Sequence, residues 1–298
     1  MIGFENISTK WTQLFQVNKL HHAIILSGKK GIGKASFAKE FCTKIIDDQN
    51  FSNIKIIEKL PEKKEIAIDQ IRELTGFFNH TPALDKPRFL IIDAVCEMNR
   101  NSANNLLKNL EEPKNGVYII LIAHNLSKVL PTIKSRCYLE KINEFSIAIF
   151  SEILHRKNIN LSQEDYEFLS EITDNSPAIA INNGEEIIAI YQDLLNSFLS
   201  FEIQPSILKK IGEKNFSYFN IELILKYFCN KLCKNILTKN IKLFYQEKAV
   251  LQIILAKHSH ENLLEITNNI YQKLHFVNKS NLDKKVNFTN IFNQIIYG

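Results

Sequence analysis

Through the first half of the chain, short all-apolar runs alternate with segments of helical periodicity. Ala23–Ser27 (AIILS) reads as a buried strand that ends on Gly28, and beyond Lys34 the residues Phe37, Phe41 and Ile45 recur at helical spacing. Ile54–Ile57 (IKII) reads as a second strand. Asp69 is placed to cap a helix carrying Ile71, Leu74 and Phe78 on one face. Arg88–Asp93 (RFLIID) is a strand ending on an aspartate. Ala103, Leu106, Leu107 and Leu110 then form the apolar stripe of a helix that Pro113 stops. Val117–His124 (VYIILIAH) is apolar at consecutive positions, the signature of a strand buried on both faces of a parallel sheet. This alternation predicts βαβ units: an α/β domain with a parallel sheet covered on both sides.

After Cys137 the pattern changes. From Asn143 the periodicity is helical, with Asn175–Pro177 (NSP) as a turn, and residues 206–298 are almost wholly helix-compatible. The expected organisation is an α/β base over 1–141, a small helical domain over 142–203 and an all-helical domain over 204–298. Neither an internal repeat nor a low-complexity linker is visible.

Composition narrows the class. A chain of 298 residues exceeds one ordinary domain, and 45% hydrophobic against 23% charged residues excludes a disordered chain. The net charge of +5 permits contact with nucleic acid or an acidic partner without demanding either, because the lysines are spread along the chain. Cys42, Cys96, Cys137, Cys229 and Cys233 have neither disulfide nor zinc spacing and read as buried thiols of a reducing compartment. The opening MIGFENISTKWTQLF lacks a secretory pattern, and no apolar run approaches the roughly 20 residues that span a bilayer. A cytoplasmic protein without membrane contact is expected.

The chemistry concentrates after the first strand. In GKKGIGK, Gly28, Gly31 and Gly33 leave room for a phosphate against backbone N–H groups and a helix N-terminus, and Lys34 is placed to reach it. A working site of this kind also places a hydroxyl next to the lysine, on the magnesium side. Here that position is Ala35, and Ser36 is rotated roughly 100° further round the helix. Asp93 ends its strand where a magnesium-side carboxylate belongs, but Ala94 follows where hydrolytic relatives carry a glutamate. Glu97, three residues on, suits a surface or capping role better than that of a base. Both losses fall on hydrolysis, while the loop keeps its shape. Lys34 and the glycines either still hold a phosphate, giving weak ATP or ADP binding, or serve only the turn.

In order and spacing, LHHAIILSGKKGIGKASFA (20–38), AIDQIREL (67–74), KPRFLIIDAVCEMNRNSANNLLKNLEEP (86–113) and LPTIKSRC (130–137) resemble the delta-prime family of bacterial DNA polymerase III clamp-loader subunits, within the AAA+ proteins. Several of these motifs are shared with the family's motor subunits, so Ala35 and Ala94 are what separate the two. Beyond residue 140 the likeness is one of layout.

The resemblance implies an AAA+ base with a helical lid and a helical collar. The implied assembly is a hetero-pentamer with motor (gamma/tau) and delta subunits, acting on a sliding clamp and primed DNA. It implies no ATP hydrolysis by this chain, which serves as a stator and presents the arginine of its SRC motif, Arg136, in trans to a neighbour's ATP site. A planar guanidinium suits that task, and in other nucleotide hydrolases such a group is worth about 10³–10⁵ in rate. Taken alone, Ser135–Cys137 favours an ordinary surface ion pair; following LPTIK and the strand Val117–Ala123, it favours the finger. Motor subunits carry a lid arginine that touches nucleotide; residues 174–182 (DNSPAIAIN) have none. Many relatives hold zinc through four cysteines, but only Cys42 precedes residue 96, so no zinc and no required cofactor are expected. Asn125 stands where relatives place a nucleotide-sensing polar group, with a structural role the alternative. His21 and His22 are expected to pack and to hydrogen-bond at a strand edge. Arg72 and Arg100, each read near a helix start, are weak candidates for DNA backbone contact. The competing reading of the chain is an active motor-type ATPase in which Ser36 and water replace the missing contacts.

Overall fold

The computed structural model describes residues 1–46, 53–60, 63, 65–79, 86–213, 218–238, 241–277 and 283–298. Contacts divide them into two units: residues 1–153 with 176–178, and residues 154–175 with 179–298.

The first unit is built on five parallel strands, β1 (Ala23–Ser27), β2 (Ile54–Ile57), β3 (Arg88–Asp93), β4 (Val117–Ala123) and β5 (Tyr138–Lys141), in the order β2-β3-β4-β1-β5. Ala23 stands opposite Ile119 and Ser27 opposite Ala123, while Asp93 stands opposite Ile122. The carboxyl ends of β1, β3 and β4 therefore share one edge, and the phosphate loop, Asp93 and His124 leave the sheet side by side.

Side chains of a strand alternate between faces, so each apolar run feeds two cores. Ile25, Leu90, Ile92, Ile119 and Leu121 pack with Leu106 and Leu110 of α5 (Arg100–Glu111) and with Ile133 of α6 (Pro131–Lys134). Ile24, Leu26, Phe89, Ile91, Ile120 and Ile122 pack with Trp11 of α1 (Glu5–Gln16) and with Phe37 and Phe41 of α2 (Lys34–Ile46). Phe4 stacks on Phe37 with ring centroids 4.6 Å apart, and Trp11 meets Phe41 edge-on at 5.2 Å. The doubly covered parallel sheet expected from the sequence is borne out. The α5 helix starts at the Asn99 cap, whose side chain accepts from Ser102 N at 2.8 Å.

The structure departs from several sequence expectations. The single helix read from Asp69 is two short ones, α3 (Ile68–Arg72) and α4 (Leu74–Asn79). Its cap is Ala67, whose N–H donates to the Gln70 side chain at 3.2 Å, and Asp69 sits inside the first turn. Ile71 and Leu74 are buried as expected, whereas the Phe78 side chain lies outside the described residues. Arg72 closes α3 instead of opening a helix; Arg100 does open α5. Of the cysteines, Cys42 and Cys229 are buried, but Cys96, Cys137 and Cys233 are half-buried. The histidines do what was expected of them: their rings stack at 4.5 Å, His21 Nδ1 lies 2.7 Å from Ala23 O, and His22 Nε2 lies 3.2 Å from Leu110 O.

The second unit is helical. It holds the end of α7 (Ile147–His155), α8 (Gln163–Ile172), most of α9 (Pro177–Ser200), α10 (Pro205–Ile211), α11 (Phe219–Thr238), α12 (Glu247–Lys257), α13 (His260–Val277) and α14 (Lys284–Tyr297). Phe198 stacks between Phe228 and Phe292, at 4.8 and 5.2 Å. A polar group is enclosed here too: Tyr191 donates to Glu247 at 2.5 Å, and the Lys231 ammonium lies 3.0 Å from Glu171 and 3.9 Å from Glu247. No described helix is long and apolar enough to cross a membrane.

Candidate functional site

The loop from Gly28 to Lys34 joins β1 to α2. Gly31 and Gly33 have φ of +82° and +93°, in the left-handed region that glycine tolerates best. Gly31 is also closely covered. A Cβ there would lie 1.9 Å from Ser176 Oγ, and Ala178 N donates to Gly31 O at 3.1 Å. Residues 176–178, part of this unit, thus close one side of the loop with a segment that carries no arginine.

Lys34 is 2% exposed. Its ammonium donates to Gly28 O at 2.7 Å and Lys29 O at 2.5 Å, so it is held by carbonyls of its own loop. Burial lowers its pKa to about 8, against the pull of the Asp93 charge. Asp93 is shifted up, chiefly by burial and partly offset by Lys34. Asp93 Oδ1 has no hydrogen-bond partner although buried, and His124 Nε2 stands 3.7 Å away, beyond hydrogen-bond range. Burial, with the charges of Lys34 and Lys30, lowers the His124 pKa to about 4, so the ring is neutral at pH 7.

The two alanines at the edge of this site have settled surroundings. Ala35 packs against the aromatic core, and Ser36 is exposed. Ala94 turns into the left-handed region at φ +67° and leads into a 3₁₀ turn, Val95–Glu97. Glu97 is held at 2.8 Å by Lys59, which keeps its carboxylate charged and its pKa low. Asn125 Oδ1 accepts from Ser127 N and Oγ at 3.0 and 2.6 Å, capping the turn Leu126–Lys128. In this structure its side chain therefore does structural work.

Gly28, Gly31, Gly33, Lys34 and Asp93 lie at the same carboxyl edge of the sheet, and His124 stands there beside Asp93. In the sequence His124 is only the end of an apolar run; the structure ends β4 at Ala123 and sets His124 at the carboxyl edge near Asp93. Arg136 has different partners. It follows α6, donating through Nη1 to Thr132 O at 2.9 Å and to Ser135 Oγ at 3.2 Å, and through Nη2 to Glu111 at 2.7 Å. The ion pair of the plainer alternative is thus present, with side chains 36% and 49% exposed. Among the described residues no group of three or more histidines, cysteines, aspartates or glutamates is gathered to hold a metal.

A parallel sheet of this order, with a phosphate loop after β1 and an acid closing β3, defines the AAA+ P-loop class. Residues 3–146 match the family described as DNA polymerase III, delta subunit. The chain is 30% identical over 189 residues to DNA polymerase III subunit delta-prime of Pseudomonas aeruginosa, covering 57% of this chain and 58% of that one. It is 24% identical over 306 residues to the gamma subunit of Buchnera aphidicola from Schizaphis graminum, covering 96% and 83%. The solved structure of a gamma subunit-related protein from Thermotoga maritima matches with a TM-score of 0.53 at 20% identity, over 96% of this chain and 98% of that one, and supports the fold. The resemblance drawn from the motifs is borne out: residues 3–146 match that family's model, and the chain is similar to delta-prime and gamma subunits of DNA polymerase III.

Proposed function

We propose that this chain is a non-hydrolytic stator subunit of a DNA polymerase III clamp loader, and that it offers Arg136 in trans to the ATP site of a neighbouring motor subunit. The observation that carries this reading is the state of its own loop. Lys34 is engaged by the carbonyls of Gly28 and Lys29, and alanines stand at 35 and 94 where magnesium and water would be handled. Arg136, by contrast, is at the surface, its side chain 36% exposed.

The partners in this proposal are gamma/tau and delta subunits in a hetero-pentamer, with the sliding clamp and primed DNA engaged through the complex in the cytoplasm. Three domains would divide the work: the base over 1–141, a lid over 142–203 and a collar over 204–298 that joins the ring. No cofactor or zinc is required, and any ATP or ADP binds weakly. A motor-type ATPase is the second reading, favoured by the gamma relatives that match along most of the chain.

The test is DNA- and clamp-stimulated ATP hydrolysis by the reconstituted loader, comparing wild type with Arg136→Ala in this subunit. Ring assembly is checked by gel filtration. A loss of about 10³-fold or more with the ring intact is the expected result. An unchanged rate would remove Arg136 from the mechanism and return weight to the motor reading.

A further inference from the structure

We infer that Glu111 is the positioning residue for Arg136: it holds the guanidinium on the surface, where its Nε–H faces no acceptor among the described residues and can meet a phosphate of the neighbouring subunit. This rests on the reading of Arg136 as an arginine finger acting in trans.

A guanidinium has five N–H donors in a fixed plane. In Arg136, Nη1 donates to Thr132 O and Ser135 Oγ, and Nη2 pairs with Glu111 Oε1. Among the described residues Nε meets no acceptor. Thr132 and Ser135 belong to the same short stretch of chain as the arginine and can only fold it back along α6. Glu111 is the partner from a different element, so it is the contact that sets the direction of the side chain.

Both ends of this contact are anchored. Glu111 closes α5, and its neighbour Leu110 is 2% exposed within the core of the sheet. Arg136 follows Ile133, 1% exposed in the same core. Glu111 is also poorly placed for its own helix. The last turn carries the negative end of the helix dipole, where a cation is favoured and a carboxylate is not. A residue that breaks the local preference while fixing a functional side chain has a role beyond the helix. An ion pair this exposed contributes little to stability, so removing it leaves the fold standing. What it supplies is orientation, and misplacing a catalytic group by about 1 Å can cost up to about 10²-fold in rate.

The experiment measures kcat and KM for ATP in the reconstituted loader, with wild type, Glu111→Ala, Glu111→Gln, Arg136→Ala and the Ala/Ala double variant of this subunit. Glu111→Ala is expected to lower kcat about tenfold, with KM unchanged. Glu111→Gln, which keeps an acceptor oxygen, should restore most of the rate. The double variant should be no slower than Arg136→Ala alone, because a lost finger needs no positioning. Should Glu111→Ala stay out of the ring on gel filtration, Glu111→Asp, which withdraws the carboxylate by one methylene, carries the same test. If Arg136→Ala is slow while Glu111→Ala matches or exceeds wild type, or if the two losses multiply, this inference is wrong and the finger stands. If Arg136→Ala leaves kcat unchanged, the finger reading fails and takes the inference with it.

Discussion

The Lys34 ammonium donates to the carbonyl oxygen of Gly28 at 2.7 Å, so the residue that would reach a phosphate is bound to its own loop. Hydrogen bonds from a charged donor are worth about 1.5–3 kcal/mol each. An incoming nucleotide has to replace the bonds to Gly28 and Lys29, and Ala35 offers magnesium no hydroxyl in return. The purified chain should therefore bind a fluorescent ATP analogue weakly, with the same anisotropy titration in magnesium as in EDTA, and should not turn ATP over. A tightening of tenfold or more on adding magnesium would contradict this.

Gly31 is constrained twice, by a φ of +82° and by Ser176 Oγ standing 1.9 Å from where a Cβ would be. Gly31→Ala is expected to destabilise the first unit by about 2–4 kcal/mol, combining a left-handed backbone with overpacking. Adding Ser176→Gly should recover only part, since the backbone cost remains. Native-state hydrogen exchange at the amides of β1 and β4 reads this locally, and full recovery would show that the backbone is unstrained.

His124 gives the site a pH dependence with a definite sign. Its folded pKa is about 4, below the ordinary 6.5, so as the pH falls the unfolded chain takes up this proton first. The stability tied to the neutral ring is present above about pH 6.5 and is lost progressively toward pH 4, by up to about 3 kcal/mol. Asp93, shifted up by burial, acts in the opposite direction. The measurement is therefore the difference between wild type and His124→Gln across pH 4–7, together with the NMR titration of the ring. A His124 that titrates near 6.5 would contradict the burial argument.

In the second unit, Tyr191 donates to Glu247 at 2.5 Å, and both residues are wholly buried. Tyr191→Phe removes that donor and leaves a carboxylate oxygen enclosed. A loss of about 1–3 kcal/mol in thermal unfolding follows. Burial raises the Glu247 pKa and the Tyr191 hydrogen bond lowers it, so the variant should shift it further up. Adding Glu247→Gln should return part of the loss, because the group left without its donor is then neutral. If Tyr191→Phe melts like wild type, the hydrogen bond is not needed.

Part of this molecule could be read without coordinates. Four of the five strands are visible as apolar runs: β1, β3 and β4 because strands buried on both faces admit few polar residues, and the edge strand β2 through its isoleucines. The fifth, β5, was missed because its half-exposed residues Tyr138–Lys141 resemble any surface segment. It exists through its pairing with β1, Ile24 opposite Tyr138 and Ser27 opposite Lys141. The helix read from Asp69 broke at Glu73 because the apolar spacing of Ile71 and Leu74 carries no information about where the backbone turns.

By itself the sequence determined the parallel sheet, the turn at Gly28–Lys34 and the alanines at positions 35 and 94. Each of these depends on residue types within a few positions of one another, where sterics and periodicity act directly. Only the tertiary structure decided that Lys34 closes on its own loop, that Ser176 covers Gly31, that His124 stands beside Asp93 and that Glu111 holds Arg136. Those contacts join groups whose separation along the chain, or whose choice among several possible acceptors, is settled by how the helices pack on the sheet.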